Sequence, residues 1–508
     1  MIAEFVQNQI AGSEIIGGIL AGEHAIGQAF VCAGRTSVFV RTFGPLFARF
    51  DLCRRQREES GICAAFSWLF SLLLRVVRAV YNAFARIPGL RLLPGLADAV
   101  LKLHFCDVCA VLASLMLCIY HDNWNNGYML IAAVLVSALY LIRLTRLGRK
   151  PSRLPVSLYL FILSSAAIIP LAGGIGANLR VYTYFISAFA FFFCLAGSIE
   201  NLDDMRRVLM ILYVAVLYNA FLSIIQGHYG VPVNLSYTDV TTNPDTPGRV
   251  YASFSNPNNF AEILCLLMPG CFAAFMSSRQ LTKAAKAFAG LSFVFPVLAL
   301  VLTYSRSAWI SFALTVCASI GLLNLALIPV ALVLVVAAIP FLPYSVKNRI
   351  MSLFSGTDSS VGYRIYIWQG CYGTMANEPL GGFGLGPDNF FLAYSRFMNE
   401  NAMKAPHSHN LFLEIWMETG AVGILSYLAF FITSMKGALL HALRKGSRYR
   451  YFSVALFSAM FGLIFMSMVE YIWFYPRTML CFFLVLGMIW ALLRMAAAEE
   501  AAADEKNK

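Results

Sequence analysis

The sequence predicts an all-α polytopic membrane protein with about twelve transmembrane helices and a large extracytoplasmic loop between the ninth and tenth spans. Hydrophobic residues make up 59% of the 508 residues and charged residues only 13%, and the mean hydropathy is +0.70. Soluble domains need more polar surface than this. Long apolar runs recur along the chain, and Lys and Arg fall in short clusters between them, as is typical of spans and their connecting loops.

The predicted spans begin after residue 100, and each is close to the roughly 20 apolar residues that cross a bilayer. Most of the connections between them are short, but two are long. The predicted spans are residues 105–120, 128–145, 154–171, 181–198, 207–226, 258–277, 285–304, 307–323, 325–342, 410–433, 451–470 and 477–495.

Four clusters of positive residues orient these spans. All four fall on one side if the spans alternate, and cytoplasmic loops carry such an excess. We therefore predict cytoplasmic N- and C-termini, in a multi-pass protein of the cytoplasmic (inner) membrane. Since this orientation explains the net charge of +12, nucleic acid is not a predicted partner. The clusters are Arg143, Arg146, Arg149, Lys150 and Arg153; Arg206 and Arg207; Arg279, Lys283 and Lys286; and Lys436, Arg444, Lys445, Arg448 and Arg450.

Three regions follow from this pattern. Residues 1–100 are rich in arginine and are predicted to form a cytoplasmic extension. Within it, apolar residues recur at helical spacing from Trp68 to Val80 while Arg75 and Arg78 interrupt the run, which indicates an amphipathic helix in the membrane interface. The transmembrane domain covers residues 101–495, with outer loops at about 228–257 and 344–408. A polar cytoplasmic tail covers residues 496–508.

Three arginines lie on the predicted outer side, where positive residues are sparse. Arg249 is in the first outer loop, Arg306 is at the outer end of a span and Arg364 is in the second outer loop. Guanidinium groups stay charged and bind phosphate oxygens in pairs, so several together are suited to holding a diphosphate. The alternative is that each is a membrane-boundary anchor whose side chain reaches into the polar interface.

The second outer loop ends in Pro406-His407-Ser408-His409-Asn410. Histidine accepts a proton near neutral pH, which suits a general base. Two nearby histidines also suggest a metal, but the sequence shows no third ligand at a fitting spacing, so no metal site and no cofactor are predicted. The alternative for His409 is a solvated residue or a helix cap.

The motif His409-Asn410, followed after nine residues by Gly420-Ala421-Val422-Gly423, resembles the signature of the O-antigen ligase and O-antigen polymerase superfamily. Arg249 before the Phe254–Asn258 segment, and Ser305-Arg306 at an outer helix end, are similar to that family's two essential outer arginines. Arg364 with Trp368 resembles its loop helix. The resemblance covers roughly residues 150–495.

The resemblance implies a metal-independent, inverting glycosyltransferase. It would take a glycan from an undecaprenyl-diphosphate carrier in the lipid bilayer and transfer it to a hydroxyl of a glycan, lipid or cell-wall acceptor. His409 would deprotonate or orient that hydroxyl. Arg249 and Arg306 would stabilise the departing diphosphate. Ligase and polymerase differ in the acceptor, which the sequence does not name.

Further candidates for contacts with the diphosphate or the acceptor are Arg364, His407 and Asn410. Glu418 lies two turns beyond His409 in an apolar segment, where a carboxylate is a functional candidate. It is expected to orient His409, pair with an arginine or cap local backbone. Two other classes of function stay open, a polytopic solute or ion transporter and a non-enzymatic scaffold.

Overall fold

A computed structural model describes residues 61–87, 104–149, 154–234, 248–278, 280–324, 327–352 and 359–506, with residues 94, 95 and 99. Residues 1–60, 235–247 and 353–358, which belong to the predicted extension and outer loops, lie outside the described residues. The described chain is helical, with no strand. Its helices are α1 Gly61–Arg86, α2 Phe105–Cys118, α3 Gly127–Leu147, α4 Val156–Leu171, α5 Ile175–Ser198, α6 Leu202–Tyr229, α7 Pro257–Ser277, α8 Lys283–Ser292, α9 Val294–Leu302, α10 Arg306–Leu323, α11 Leu327–Ala338, α12 Tyr344–Met351, α13 Ser359–Asn377, α14 Pro387–Tyr394, α15 Leu411–Leu443, α16 Arg450–Ser467 and α17 Pro476–Lys506.

The prediction of a polytopic all-α membrane protein is confirmed. Ten helical stretches of the described chain are long and apolar enough to cross a membrane, and α2 and α4 are shorter apolar helices. Two predicted spans differ in detail. Residues 285–304 form two helices, α8 and α9, that meet at Phe293. In place of 325–342, α11 has 12 residues, or about 18 Å, and Pro340 and Pro343 follow it with no backbone N–H to continue the helix.

Helix α17 lies at the centre of the helix bundle. Its side chains from Met479 to Leu492 are almost all buried. Aromatic edges and faces fill the space around it: Phe483 packs against Phe189 with ring centroids 4.9 Å apart, and Trp490 stacks on Phe430 at 6.3 Å. This packing holds the neighbouring helices α5 and α15 in place, and with them the start of α15, where the histidine motif lies.

Helix α15 is broken by a loop from the outer region. Gly420 has φ +71°, outside the helical region. The carbonyls left unpaired there accept from the loop, since Phe383 N donates to Met417 O at 2.8 Å and Gly384 N donates to Glu418 O at 3.2 Å. A Cβ on Gly420 would lie 2.6 Å from the carbonyl oxygen of Leu380. Glycine is therefore required for this close approach.

A second, smaller core joins the outer loop helices to α15. Ile367, Cys371 and Met375 on α13 are buried against Tyr394 of α14 and Met417 of α15. The outer region from α13 to α15 is therefore a packed unit, with its own apolar contacts to the membrane helix that follows it.

Helices α10 and α16 pack so closely that one glycine controls their contact. A Cβ on Gly462 would clash with the backbone carbonyl of Ser311 and the hydroxyl of Thr315. We expect Gly462→Ala to force the helices apart and lower the free energy of unfolding by about 1–3 kcal/mol, measured as a lower thermal midpoint of the detergent-purified protein. Gly290→Ala is the control, because its Cβ would meet only a methyl of Met276, at 3.9 Å. An equal midpoint for the two variants would contradict the close contact.

Candidate functional site

The histidine motif is held rigidly where the outer loop enters α15. Asn410 caps the helix, since its Oδ1 accepts from the backbone amides of Phe412 and Leu413, each at 3.0 Å. Its side-chain amide donates to Met468 O at 3.0 Å. The amide of Ser408 donates to the carboxylate of Glu414 at 2.6 Å. Asn410, predicted to contact substrate, is thus occupied with backbone groups.

His409 and Glu470 form a hydrogen-bonded pair. The Nδ1 of His409 lies 3.0 Å from Oε1 of Glu470, in the loop between α16 and α17. Because a carboxylate only accepts, Nδ1 carries the proton and Nε2 remains as the basic nitrogen. Arg364 donates to the other oxygen of Glu470 at 3.3 Å. The arrangement orients the imidazole and leaves Nε2 able to accept a proton.

The charges of His409, Glu470 and Arg364 affect the protonation of the carboxyl and imidazole groups in this cluster. Burial opposes the charge of Glu470, but the charge and hydrogen bond of His409 and the charge of Arg364 outweigh it and hold the pKa of this carboxyl well below its usual range. Burial, with the charges of His409 and Arg364, lowers the pKa of His407 to about 3, against an opposing effect of Glu470. His407 is therefore neutral, and its Nδ1 accepts from the amide of His409 at 3.2 Å.

Two of the predicted arginines meet at one residue of α13. Arg306 donates to the hydroxyl of Ser360 at 3.3 Å and to that of Ser352 at 2.9 Å. Arg364 donates to the carbonyl of Ser360 at 3.2 Å. A continuous set of contacts therefore runs from Arg306 through Ser360, Arg364 and Glu470 to His409. The structure brings these three predicted site residues together.

Arg249 has a different environment from the other two arginines. Its side chain is buried, and it donates to Thr303 O at 2.7 Å and to Oδ1 of Asn258 at 2.6 Å. Arg349, on α12, donates to the next carbonyl, Tyr304 O, at 3.3 Å. These two guanidinium groups hold the turn that leads directly into Arg306.

Glu418 lies behind the site and does not contact His409. Its carboxylate accepts from the amide of Gly386 at 2.8 Å and from the hydroxyl of Tyr471 at 3.2 Å. Of the three roles expected for it, the structure shows the bond to backbone. Glu418 thereby fastens the glycine-rich loop and the residue next to Glu470 to α15.

Strained backbone conformations occur in three segments around the candidate site. Among the described residues, the non-glycine residues with positive φ are Ala252 at 50°, Tyr304 at 50° and His409 at 52°. They lie in the Arg249 segment, in the turn before Arg306 and in the histidine motif. Such conformations cost of order 1–3 kcal/mol each and cluster at functional sites.

The structure also shows whether side chains near His409 could bind a metal ion. Donor atoms of His407, His409 and Glu470 lie within 4.8 Å of one another, so folding supplies the third group that the sequence did not show. The guanidinium of Arg364 already binds Glu470, however, and its positive charge opposes a cation at the same carboxylate. The chemistry of the group therefore favours a hydrogen-bonded acid–base pair.

Sequence reasoning missed Glu470, Ser360 and Arg349. For Glu470 a signal existed, because it is a lone carboxylate at the predicted outer end of span 451–470, the same side as His409. Ser360 and Arg349 carry no such signal, since a serine or an arginine in a polar loop is ordinary.

Comparison with known proteins addresses the resemblance directly. Residues 291–428 match the family model described as O-Antigen ligase. The match includes Arg306, Arg364 and His409, whereas Arg249 and Glu470 lie outside it. No curated protein matches the chain. The family match, on a chain of membrane-spanning helices, supports the resemblance of this chain to the O-antigen ligase and O-antigen polymerase superfamily.

Proposed function

We propose that the protein transfers a glycan from an undecaprenyl-diphosphate carrier to an acceptor hydroxyl on the outer face of the cytoplasmic membrane, as a ligase or as a polysaccharide polymerase. The observation that carries the proposal is the hydrogen-bonded pair of His409 and Glu470, joined through Arg364 and Ser360 to Arg306. It combines a base with two permanent cations, which are the groups that transfer from a diphosphate donor requires.

The proposed reaction is a single displacement. Nε2 of His409 accepts the proton of the acceptor hydroxyl as its oxygen forms a bond to C1 of the donor sugar. The bond from C1 to the diphosphate oxygen breaks, and the configuration at C1 inverts. Arg306 and Arg364 stabilise the negative charge of the departing diphosphate.

The remaining predicted residues take positioning roles in this proposal. Arg249 holds the turn before Arg306, His407 supports the imidazole of His409, and Asn410 caps α15. Glu418 holds the loop behind the site. No observation supports the transporter alternative, and the charged groups of the site lie in loops and at helix ends.

The orientation of the chain belongs to the proposal too. The arginines of α3, including Arg143 and Arg146, are at the opposite end of the bundle from Asn178, the residue of α5 that contacts the outer loop at Leu385. With the positive ends in the cytoplasm, the site faces outward. Residues 1–100 and 496–508 would then be cytoplasmic.

His409 is the proposed base and Arg306 a proposed phosphate-binding cation. We expect His409→Ala to lower transfer from a lipid-linked donor by about 10²–10⁴-fold, the usual contribution of a general base. Arg306→Ala should lower it by a similar factor through loss of charge stabilisation. The measurement is product formation by purified protein with lipid-linked glycan in vitro.

His441→Ala is the matched control, because His441 lies at the far end of the same helix α15, and it should keep full activity. Full activity in well-folded His409→Ala and Arg306→Ala proteins would sink the enzymatic proposal. The product then distinguishes two enzymes, since a lengthened lipid-linked chain indicates a polymerase and a glycan on another carrier indicates a ligase.

Glu470 should act by positioning His409. We expect Glu470→Gln to lower kcat by about 10–100-fold, because the imidazole loses the group that orients it, and to leave KM nearly unchanged. Glu378→Gln, at an exposed ion pair with Arg396 in the same outer region, should change neither. A loss confined to KM would contradict the positioning role of Glu470.

A chelator tests metal independence. Because Arg364 holds the carboxylate that a cation would need, we expect activity after EDTA treatment and gel filtration to stay within about two-fold of the untreated protein. Activity that is lost, and is then restored by one divalent cation, would instead assign His407, His409 and Glu470 as its ligands.

A further inference from the structure

One face of α13 runs along the candidate site for about two turns. Residues at spacings i, i+3, i+4, i+7 and i+8 share a face of a helix. On this face Arg364 binds Glu470, and Nε1 of Trp368 donates to the carbonyl of Ser408, in the histidine motif, at 2.9 Å. The residues of the face are Ser360, Tyr363, Arg364, Ile367 and Trp368.

Tyr363 is the residue of this face that lies against the imidazole of His409. The two rings meet edge to face, with centroids 6.2 Å apart and an angle of 74° between their planes. Because Nδ1 of His409 binds Glu470, an acceptor reaches the imidazole at Nε2. Its hydroxyl must come within about 3 Å of that nitrogen. The group that carries the hydroxyl therefore comes within reach of the Tyr363 ring.

The two rings are accessible to a ligand. Tyr363 is half-buried, and 20% of the His409 side chain is exposed. By contrast, Ile367 and Cys371 of the same helix are fully buried in the second core. Helix α13 thus passes from closed core to partly open aromatic surface where it meets His409.

The phenol of Tyr363 is not a second base. Burial raises the pKa of Tyr363, so its hydroxyl keeps its proton at neutral pH. The side chain therefore presents an aromatic ring with a neutral hydroxyl. Aromatic faces carry negative charge density and attract the partly positive hydrogens of C–H groups. A pyranose presents such C–H groups on the faces of its ring and hydroxyls around its rim, so an aromatic ring can hold the sugar while a hydroxyl points sideways.

We propose that Tyr363 binds the acceptor by stacking on the sugar ring whose hydroxyl reaches Nε2 of His409. This inference rests on the proposed function and adds to it a residue that selects the acceptor. In a single displacement the acceptor and the diphosphate lie on opposite sides of C1. The ring that contacts the base is therefore on the acceptor side, and the donor is held by Arg306 and Arg364.

Kinetics of the purified full-length protein, with donor and acceptor varied in turn, test the proposal. Tyr363→Leu should raise the KM for the acceptor about ten-fold or more and leave the KM for the donor within about two-fold. Tyr363→Phe should recover most of the lost affinity, because stacking needs the ring. Tyr372→Leu is the matched control, since Tyr372 lies on the opposite face of α13 and 59% of it is exposed.

The division between kcat and KM decides the role of Tyr363. A lower kcat with an unchanged KM for the acceptor would make Tyr363 a support for His409 and overturn the proposal. A change confined to the KM for the donor would overturn it too, as would an equal rise in the acceptor KM for Tyr372→Leu.

Binding without turnover separates this proposal from the proposed function. The probes are water-soluble oligosaccharides released by mild acid from the lipid-linked donor and from the cell envelope, observed by saturation-transfer-difference NMR. With at least one of them, wild-type and Tyr372→Leu proteins should give signals from sugar C–H protons that Tyr363→Leu largely loses. Such binding in a wild-type protein without transferase activity would contradict only the proposed function. Active transfer by the wild type, with equal signals for Tyr363→Leu and Tyr372→Leu, would overturn this inference alone.

Discussion

The partly buried charge of Glu470 is the constraint on which the rest of the candidate site depends, since 12% of its side chain is exposed. A carboxylate largely removed from water must be paired, and removing one partner of such a pair is costly. Glu470 is paired twice, with His409 and with Arg364. Its partners come from two other segments, α13 and the start of α15. If α13, the start of α15 or the loop that holds Glu470 moved alone, a charged group would lose its partner.

Other arginines stabilise the surrounding loops by binding backbone carbonyls. Arg249 and Arg349 hold the turn at Thr303 and Tyr304. Arg477, at the start of α17, donates to Ser253 O at 3.2 Å and lies over the ring of Phe254 at 4.2 Å. These loops have no regular hydrogen bonding of their own, so buried guanidinium groups with several donors satisfy them. The arginines around the candidate site thus fall into two groups, those that support loops and those that we propose bind the diphosphate.

Much of this arrangement was predictable from local sequence. Hydropathy and spacing predict the helices, because lipid leaves few alternatives for the backbone. The histidine motif identifies His409 as the candidate base. The partner of that base was not predictable in the same way, since Glu470 meets His409 only through folding across 61 residues. The same holds for Glu418, for which the sequence left three roles open and which bonds to the backbone of Gly386 and to Tyr471 in the structure. The hydropathy pattern predicts where helices form. Which charged side chains pair with each other depends on the tertiary structure.

The break in α15 at Gly420 also bears on how the protein is assembled in the membrane. The carbonyls of Met417 and Glu418 have their partners in the outer loop, and unpaired backbone groups in lipid cost several kcal/mol each. In the proposed orientation, insertion alone does not complete this helix, because residues 380–384 must be translocated before they dock onto it. We therefore expect the candidate site to mature late in biogenesis, after export of the loop.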